Sequence, residues 1–347
     1  MRNSMRTKLI ILMVFLASQH EILSALAPWT YCVKKKFTHD VPESVLNYNY
    51  MLQAHDPIQE FSQLVCSWNA LRPARGYFRF WCRAHTTSTN TWLPWHQMYE
   101  WGNGVQQSFI DKKSGASHYI HVRLEMLHKN FADGFQIRVE PVDGADLSCI
   151  KMIAVALSDF TRFEAEHVGP KHAALRTIHI AQVPRFSQMI LAHPQAEVLC
   201  SPTSLCMLTS FLKKKNCDAV TFADNVYDNG LKAYGSWPFN IAHAFEHLQG
   251  TVYCTVERLH DFGALHAHLC NNIPVVVSVR GYLKGAPKAY PGGHLLVVVG
   301  YDRKNKKVLC HDPAAPVNSK VLKRYDLKNF LPAWERSHRL AYVAERF

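Results

Sequence analysis

The 347-residue chain has no paired Cys-x-x-Cys knuckles among its ten cysteines. That removes the usual spacing of a structural zinc site, and no metal and no cofactor are expected. After its first residues it has no apolar run long enough to cross a bilayer, so no integral membrane segment is expected in the rest of the chain. Internal repeats and low-complexity tracts are also missing. The only dense basic runs, Lys34 to Lys36 and Lys213 to Lys215, stand apart from repeated aromatics or glycines. The net charge of +12 therefore reads as solvated surface and not as a nucleic-acid platform. Outside a cytoplasmic membrane such a surface is drawn weakly to anionic polymers and lipids.

What is present begins with an export signal. Arg2, Arg6 and Lys8 precede an apolar run from Leu9 to Ala17, and Ser24-Ala25-Leu26-Ala27 offers small residues for cleavage. The run falls short of the roughly 18 to 20 residues of a membrane span. Removing residues 1–27 takes away three basic side chains and one acidic one and leaves +10. The expected location is exported, periplasmic or secreted.

Residues 28–60 read as an N-terminal extension. From 61 to 160 the texture is strand-like, with Gly76 to Arg83, His118 to Leu124, Phe135 to Val139 and Ile150 to Leu157 alternating apolar and polar. Asp133-Gly134 and Asp143-Gly144 read as turns between such runs. An all-β sandwich domain is expected. Its aromatics, Trp68, Trp81, Trp92, Trp95, Tyr99 and Trp101, read as core packing, with a glycan-binding platform as the alternative. Residues 161–179 form a linker. From 180 to 347 helices and strands mix: helices over Cys200 to Leu212, Pro238 to Leu248, His260 to Cys270 and Leu327 to Trp334, and strands at Pro274 to Val279, His294 to Val299, Lys307 to Cys310 and Leu340 to Val343. The fold class is α+β.

Cys200 opens its helix, with Pro202 in the first turn. Unpaired backbone N–H groups and the positive end of the helix dipole favour thiolate there. Gly292-Gly293-His294 enters a valine-rich strand, and Asp312 follows 18 residues after His294. A hairpin would return the carboxylate beside the imidazole. Cysteine as nucleophile, histidine as base and aspartate as orienting group make a chemically complete set. An oxyanion donor is sought upstream, first at Gln188 and then at Gln195, with the Cys200 backbone N–H as its companion. Asp302 is eight residues past His294 on one strand, too far to orient it. His311 should face away from Asp312's side, and Cys206 reads as core. Gly230 to Trp237 reads equally as a cleft wall or as a loop capping the next helix.

The order Ser-Gln, Cys-Ser-Pro-Thr-Ser-Leu-Cys-Met, Gly-Gly-His-Leu and Asp-Pro resembles the family of bacteriocin-processing, double-glycine leader peptidases, in its stand-alone exported branch. The resemblance runs from Ile180 to Phe347 and reaches Tyr234 to Asn240 and Gly285 to Pro287; the family's Cys-Gly-Pro-Thr-Ser has Ser201 in place of the glycine. It implies a papain-like cysteine peptidase domain preceded by an all-β sandwich domain, a Cys200-His294-Asp312 triad, and a cleft near Trp237 and Gly293. It also implies a peptide or protein substrate, with cell-wall peptides as one class. A catalytically silent peptide-binding module and an acyltransferase with the same triad are the other readings.

Overall fold

The computed structural model describes residues 28–38, 44–112 and 115–346. The expected signal peptide lies outside them. Among the described residues no helix is long and apolar enough to cross a membrane.

The N-terminal region is built of two antiparallel sheets. The first runs in the order β1 (Thr30–Lys36), β11 (Ile150–Ser158), β3 (Gln63–Ala70), β9 (Arg123–Met126) and β8 (Ser117–Ile120). The second runs β2 (Leu46–Met51), β10 (Ala132–Val142), β4 (Tyr77–Thr86), β6 (His96–Gly102) and β7 (Gln106–Ser108), with β5 (Thr91–Trp92) beside β4. Alternation decides which side chains go inside: along β4, Phe78, Phe80 and Cys82 are buried while Tyr77, Arg79, Trp81 and Arg83 are half-exposed. Residues of β3, β11, β4 and β10 meet in one apolar cluster. Trp68 stacks on Phe80 with ring centroids 4.5 Å apart and also packs on Tyr99 and Trp101. Such aromatic pairs add roughly 0.5–1.5 kcal/mol each beyond burial.

The C-terminal region has one antiparallel sheet, ordered β13 (Val252–Arg258), β18 (Leu340–Arg346), β14 (Val275–Gly281), β15 (Tyr290–Asp302), β16 (Lys307–His311) and β17 (Leu322–Asp326), with β12 (Ile178–His179) against β15. Its helices are α1 (Pro170–Ala174), α2 (Cys200–Lys213), α3 (Ala219–Asp224), α4 (Trp237–His247), α5 (Phe262–Cys270) and α6 (Leu327–Glu335). Helix α2 packs on β14 and β15.

Four local expectations change. The stretch 28–60 is part of the sheets: β1 pairs β11 and β2 pairs β10, so the sheets begin at Thr30 and not at residue 61. Half-exposed edge strands, with lysines in β1, carry too little apolar alternation to be read in advance. His118 to Leu124 is a hairpin, not one strand, because His121 and Val122 turn at φ 47° and 59°. Both central residues of such a two-residue turn take positive φ, and a β-branched valine there is strained. Asp133-Gly134 lies inside β10 at a register shift, and only Asp143-Gly144 turns. The stretch 161–179 holds α1 and β12, and Glu166 is buried, its backbone N–H donating to Glu335 Oε1.

The two regions share a wall. All eight residues of β3 are buried. Asn69 donates to the Cys254 carbonyl at 2.7 Å and accepts from the Cys254 N–H at 2.8 Å, while Ser67 Oγ accepts from Val256 N–H at 3.2 Å. Strand β13 is the edge of its sheet. Side chains of β3 thus satisfy backbone groups that an open edge would leave unpaired. Helix α4 lies against both β3 and β13, and its Phe239 and Ala242 enter the N-terminal core.

Candidate active site

Cys200 is the first residue of α2. Ser204 Oγ donates to the Leu295 carbonyl at 3.0 Å, which ties the helix start to the strand carrying His294. His294 Nε2 meets Asp312 Oδ1 at 2.8 Å, and the ring is close enough to the Cys200 thiol to lower its proton affinity. With Nε2 on the carboxylate, Nδ1 is the ring nitrogen left to face a thiol. The β15–β16 hairpin accounts for the approach: Val297 stands opposite His311, and Asp312 follows at once. The structure therefore brings together the three residues that sequence reasoning singled out.

Burial alone would push the Cys200 thiol up; the hydrogen bond and charge of His294, with backbone N–H groups of Leu295 and Ser201, bring it below the ordinary thiol range. Burial alone would likewise depress His294, yet the Asp312 carboxylate, helped by Cys200, lifts it to about 9. Asp312 is fully buried. Burial would raise its pKa, but His294 and two tyrosine donors hold it at about 2. A lowered thiol beside a raised imidazole favours the thiolate–imidazolium pair over the neutral one.

Asp312 is held by residues that motif reasoning missed. Tyr290 Oη and Tyr325 Oη donate to Oδ2 at 2.8 and 2.6 Å, and the Ala314 N–H donates to Oδ1 at 3.0 Å. Tyr290 also stacks on the His294 ring at 4.0 Å with a 13° interplanar angle. Tyr290 sits four residues before His294 on the same strand, a signal that was on the page. Tyr325 comes from β17 and had none. Ser201 is buried, its hydroxyl between Asn240 Oδ1 and Tyr342 Oη, each at 2.9 Å. Asn240 Nδ2 in turn donates to the carbonyls of Tyr234 and Ser236, so Ser201 links the nucleophile's helix to the loop beside the cleft.

Gln188 is buried close to the same loops, but its Nε2 donates to the carbonyls of Ala196 at 3.0 Å and Glu197 at 2.8 Å. Both amide hydrogens are committed, so neither is free for an oxyanion in this arrangement. Gln195 is exposed. Trp237 and Gly293 line one cavity with Cys200, and Trp237 is also the first residue of α4, whose N-cap Ser236 makes no side-chain cap. His311 Nδ1 pairs with the Pro184 carbonyl at 3.0 Å, away from the triad.

All ten cysteines are free thiols. Cys206 is buried; Cys217 next to it is held below the ordinary thiol range by its hydrogen bond to Cys206, with His247 and His243 nearby. Spacing did not reveal this pairing of two cysteines. No group of side chains able to hold a metal ion occurs among the described residues. In the aromatic cluster, Trp68, Tyr99 and Trp101 are buried; Trp92 and Trp95 are half-exposed, with Arg83 against both rings and Arg138 on Trp95.

Residues 180–342 match the Peptidase_C39 like family. This C39-like region contains the whole of the site just described. Two solved structures are similar to the chain. One is a putative C39-like peptidase from Bacillus anthracis, at 14% identity over 50% of this chain and 98% of that one, with a TM-score of 0.39. The other is Xylellain, a cysteine protease from Xylella fastidiosa, at 13% identity over 54% of this chain and 92% of that one, with a TM-score of 0.34. Similarities this slight add nothing to the reading of the site. No curated protein matches the chain.

Proposed function

We propose that the chain is an exported cysteine peptidase that hydrolyses peptide bonds through Cys200, His294 and Asp312. The observation that supports this is the buried His294–Asp312 pair, with the half-buried Cys200 at the start of α2 beside it, inside the C39-like region. The thiolate attacks the carbonyl carbon, and backbone N–H groups at the start of α2 face the developing oxyanion. His294 hands its proton to the amine nitrogen as the C–N bond breaks, leaving a thioester on Cys200. Water, deprotonated by His294, then attacks the thioester and returns the thiol. Asp312 keeps the ring oriented and its positive charge stabilised throughout. Residues 1–27 direct export, and the two N-terminal sheets act as a sandwich that walls the site.

The test is digestion of a randomised peptide library by the mature chain, with new N-termini read by mass spectrometry beside a Cys200→Ala control. New termini in the wild type alone support hydrolysis. Transfer to an added amine in place of hydrolysis would reassign the chain as an acyltransferase. The committed amide of Gln188 favours a second reading, a peptide-binding module, and binding to Cys200→Ala and wild type alike without cleavage would establish it.

A further inference from the structure

A cavity of about 920 Å³ opens at Cys200, and its wall is drawn from both regions of the chain. Its charged lining is one-sided. Four arginines, Arg123, Arg258, Arg280 and Arg336, face one carboxylate, Glu125. Glu125 is taken by Arg123 and by His118 at 3.0 Å. Among the described residues, no carboxylate lies within ion-pair reach of the other three arginines.

Arg258 is the most telling of them. It is only 7% exposed, yet every partner it has is neutral. Its Nη2 donates to Gln63 Oε1 at 2.6 Å, its Nη1 donates to the carbonyls of Ser337 and His338 at 2.7 and 2.9 Å, and its guanidinium lies over the Phe160 ring. Its Nε is buried with no acceptor at all. A buried cation with no carboxylate in direct contact costs stability, and burial together with Arg123 lowers Arg258 to about 9 against the weaker opposing pull of Glu125. The arginine is held in place by dipoles that orient it and do not neutralise it. The strained His121-Val122 turn, immediately before Arg123, lines the same cavity.

We infer that this cavity binds a carboxylate of the substrate, so that the peptide presented to Cys200 is an acidic one. The inference deepens the peptidase reading and rests on it for the identity of the ligand as a peptide. Guanidinium groups form the strongest of the side-chain hydrogen bonds to carboxylates, and a cleft lined by one sign of charge concentrates ligands of the other. The carboxylate has two possible sources, an Asp or Glu side chain and the peptide's own C-terminus.

The experiment measures binding without turnover. Full-length mature Cys200→Ala protein is titrated with fluorescent randomised octapeptides carrying Glu or Gln at each position in turn, each made as the C-terminal acid and the C-terminal amide. The expected result is about tenfold tighter binding for the charged member of one comparison, narrowing in Arg280→Gln and at high salt. A preference in the Glu/Gln arm assigns a side-chain carboxylate, and one in the acid/amide arm assigns the C-terminus. Equal binding in both arms overturns the inference. Acid preference in Cys200→Ala with no cleavage by the wild type removes the peptidase reading and leaves the anion site standing. Cleavage without acid preference does the reverse. Neither result depends on Arg258 variants, whose loss of three hydrogen bonds threatens folding.

Discussion

Replacing Asp312 by asparagine removes the charge that keeps His294 protonated while keeping the side chain's shape. His294 stands at about 9, against about 6.5 for a free imidazole. At 1.36 kcal/mol per tenfold change in proton affinity, that gap is worth roughly 3 kcal/mol, the net of the Asp312 and Cys200 attraction over the opposing effect of burial. The thiolate–imidazolium pair should then fall in population by about two orders of magnitude near neutral pH. The assay is alkylation by iodoacetamide from pH 5 to 9, with the modified cysteine identified by mass spectrometry. Mapping is essential because Cys217 is also a partly exposed free cysteine, and a Cys217→Ser background removes it. In the wild type, Cys200 should react faster than an ordinary thiol below pH 8, since His294 lowers its proton affinity. In Asp312→Asn the rate should climb through the ordinary thiol range near pH 8.5. Equal rates for the two proteins at pH 6.5, with both folded, would refute the role given to Asp312.

Tyr325→Phe removes a donor to the Asp312 carboxylate and should cost about 1–3 kcal/mol. Asp312 is depressed to about 2, so its stabilisation is present above the ordinary carboxyl range and is lost as pH falls toward 2. Weakening it moves the acid limb of a melting-temperature profile to higher pH. Ser201→Ala leaves Asn240 Oδ1 and Tyr342 Oη without their shared hydroxyl, and urea unfolding should show a loss of about 1–3 kcal/mol. Gly293 sits at φ 96° with open space where a Cβ would go, whereas Gly292 has that space without the positive φ. Gly293→Ala should therefore lose about 1 kcal/mol and Gly292→Ala almost nothing.

The three proposed site residues stood out because each lies at a junction that local chemistry marks: a cysteine at a helix start, a histidine behind two glycines, an aspartate at the end of a hairpin. Most strands and helices were legible for the same reason, since period and turn residues are local signals. What escaped depends on contacts between distant elements. Tyr325 reaches Asp312 from β17, Asn240 reaches Ser201 from α4, and Arg258 gains its isolation only when Gln63 of β3 meets it. Gln188 shows the opposite case. A motif can place a residue near the site, but only geometry shows that both its amide hydrogens are engaged.

Strand β3, buried along its whole length, has a consequence for how the molecule comes apart. One side of the strand belongs to the N-terminal core and the other offers Ser67 and Asn69 to β13. A cut made between the regions would expose an apolar face of α4 and strip the edge of β13 of its partners. The C39-like region taken alone should aggregate or fray, and the intact chain should melt in one cooperative transition, because β3 and α4 are shared between its two halves.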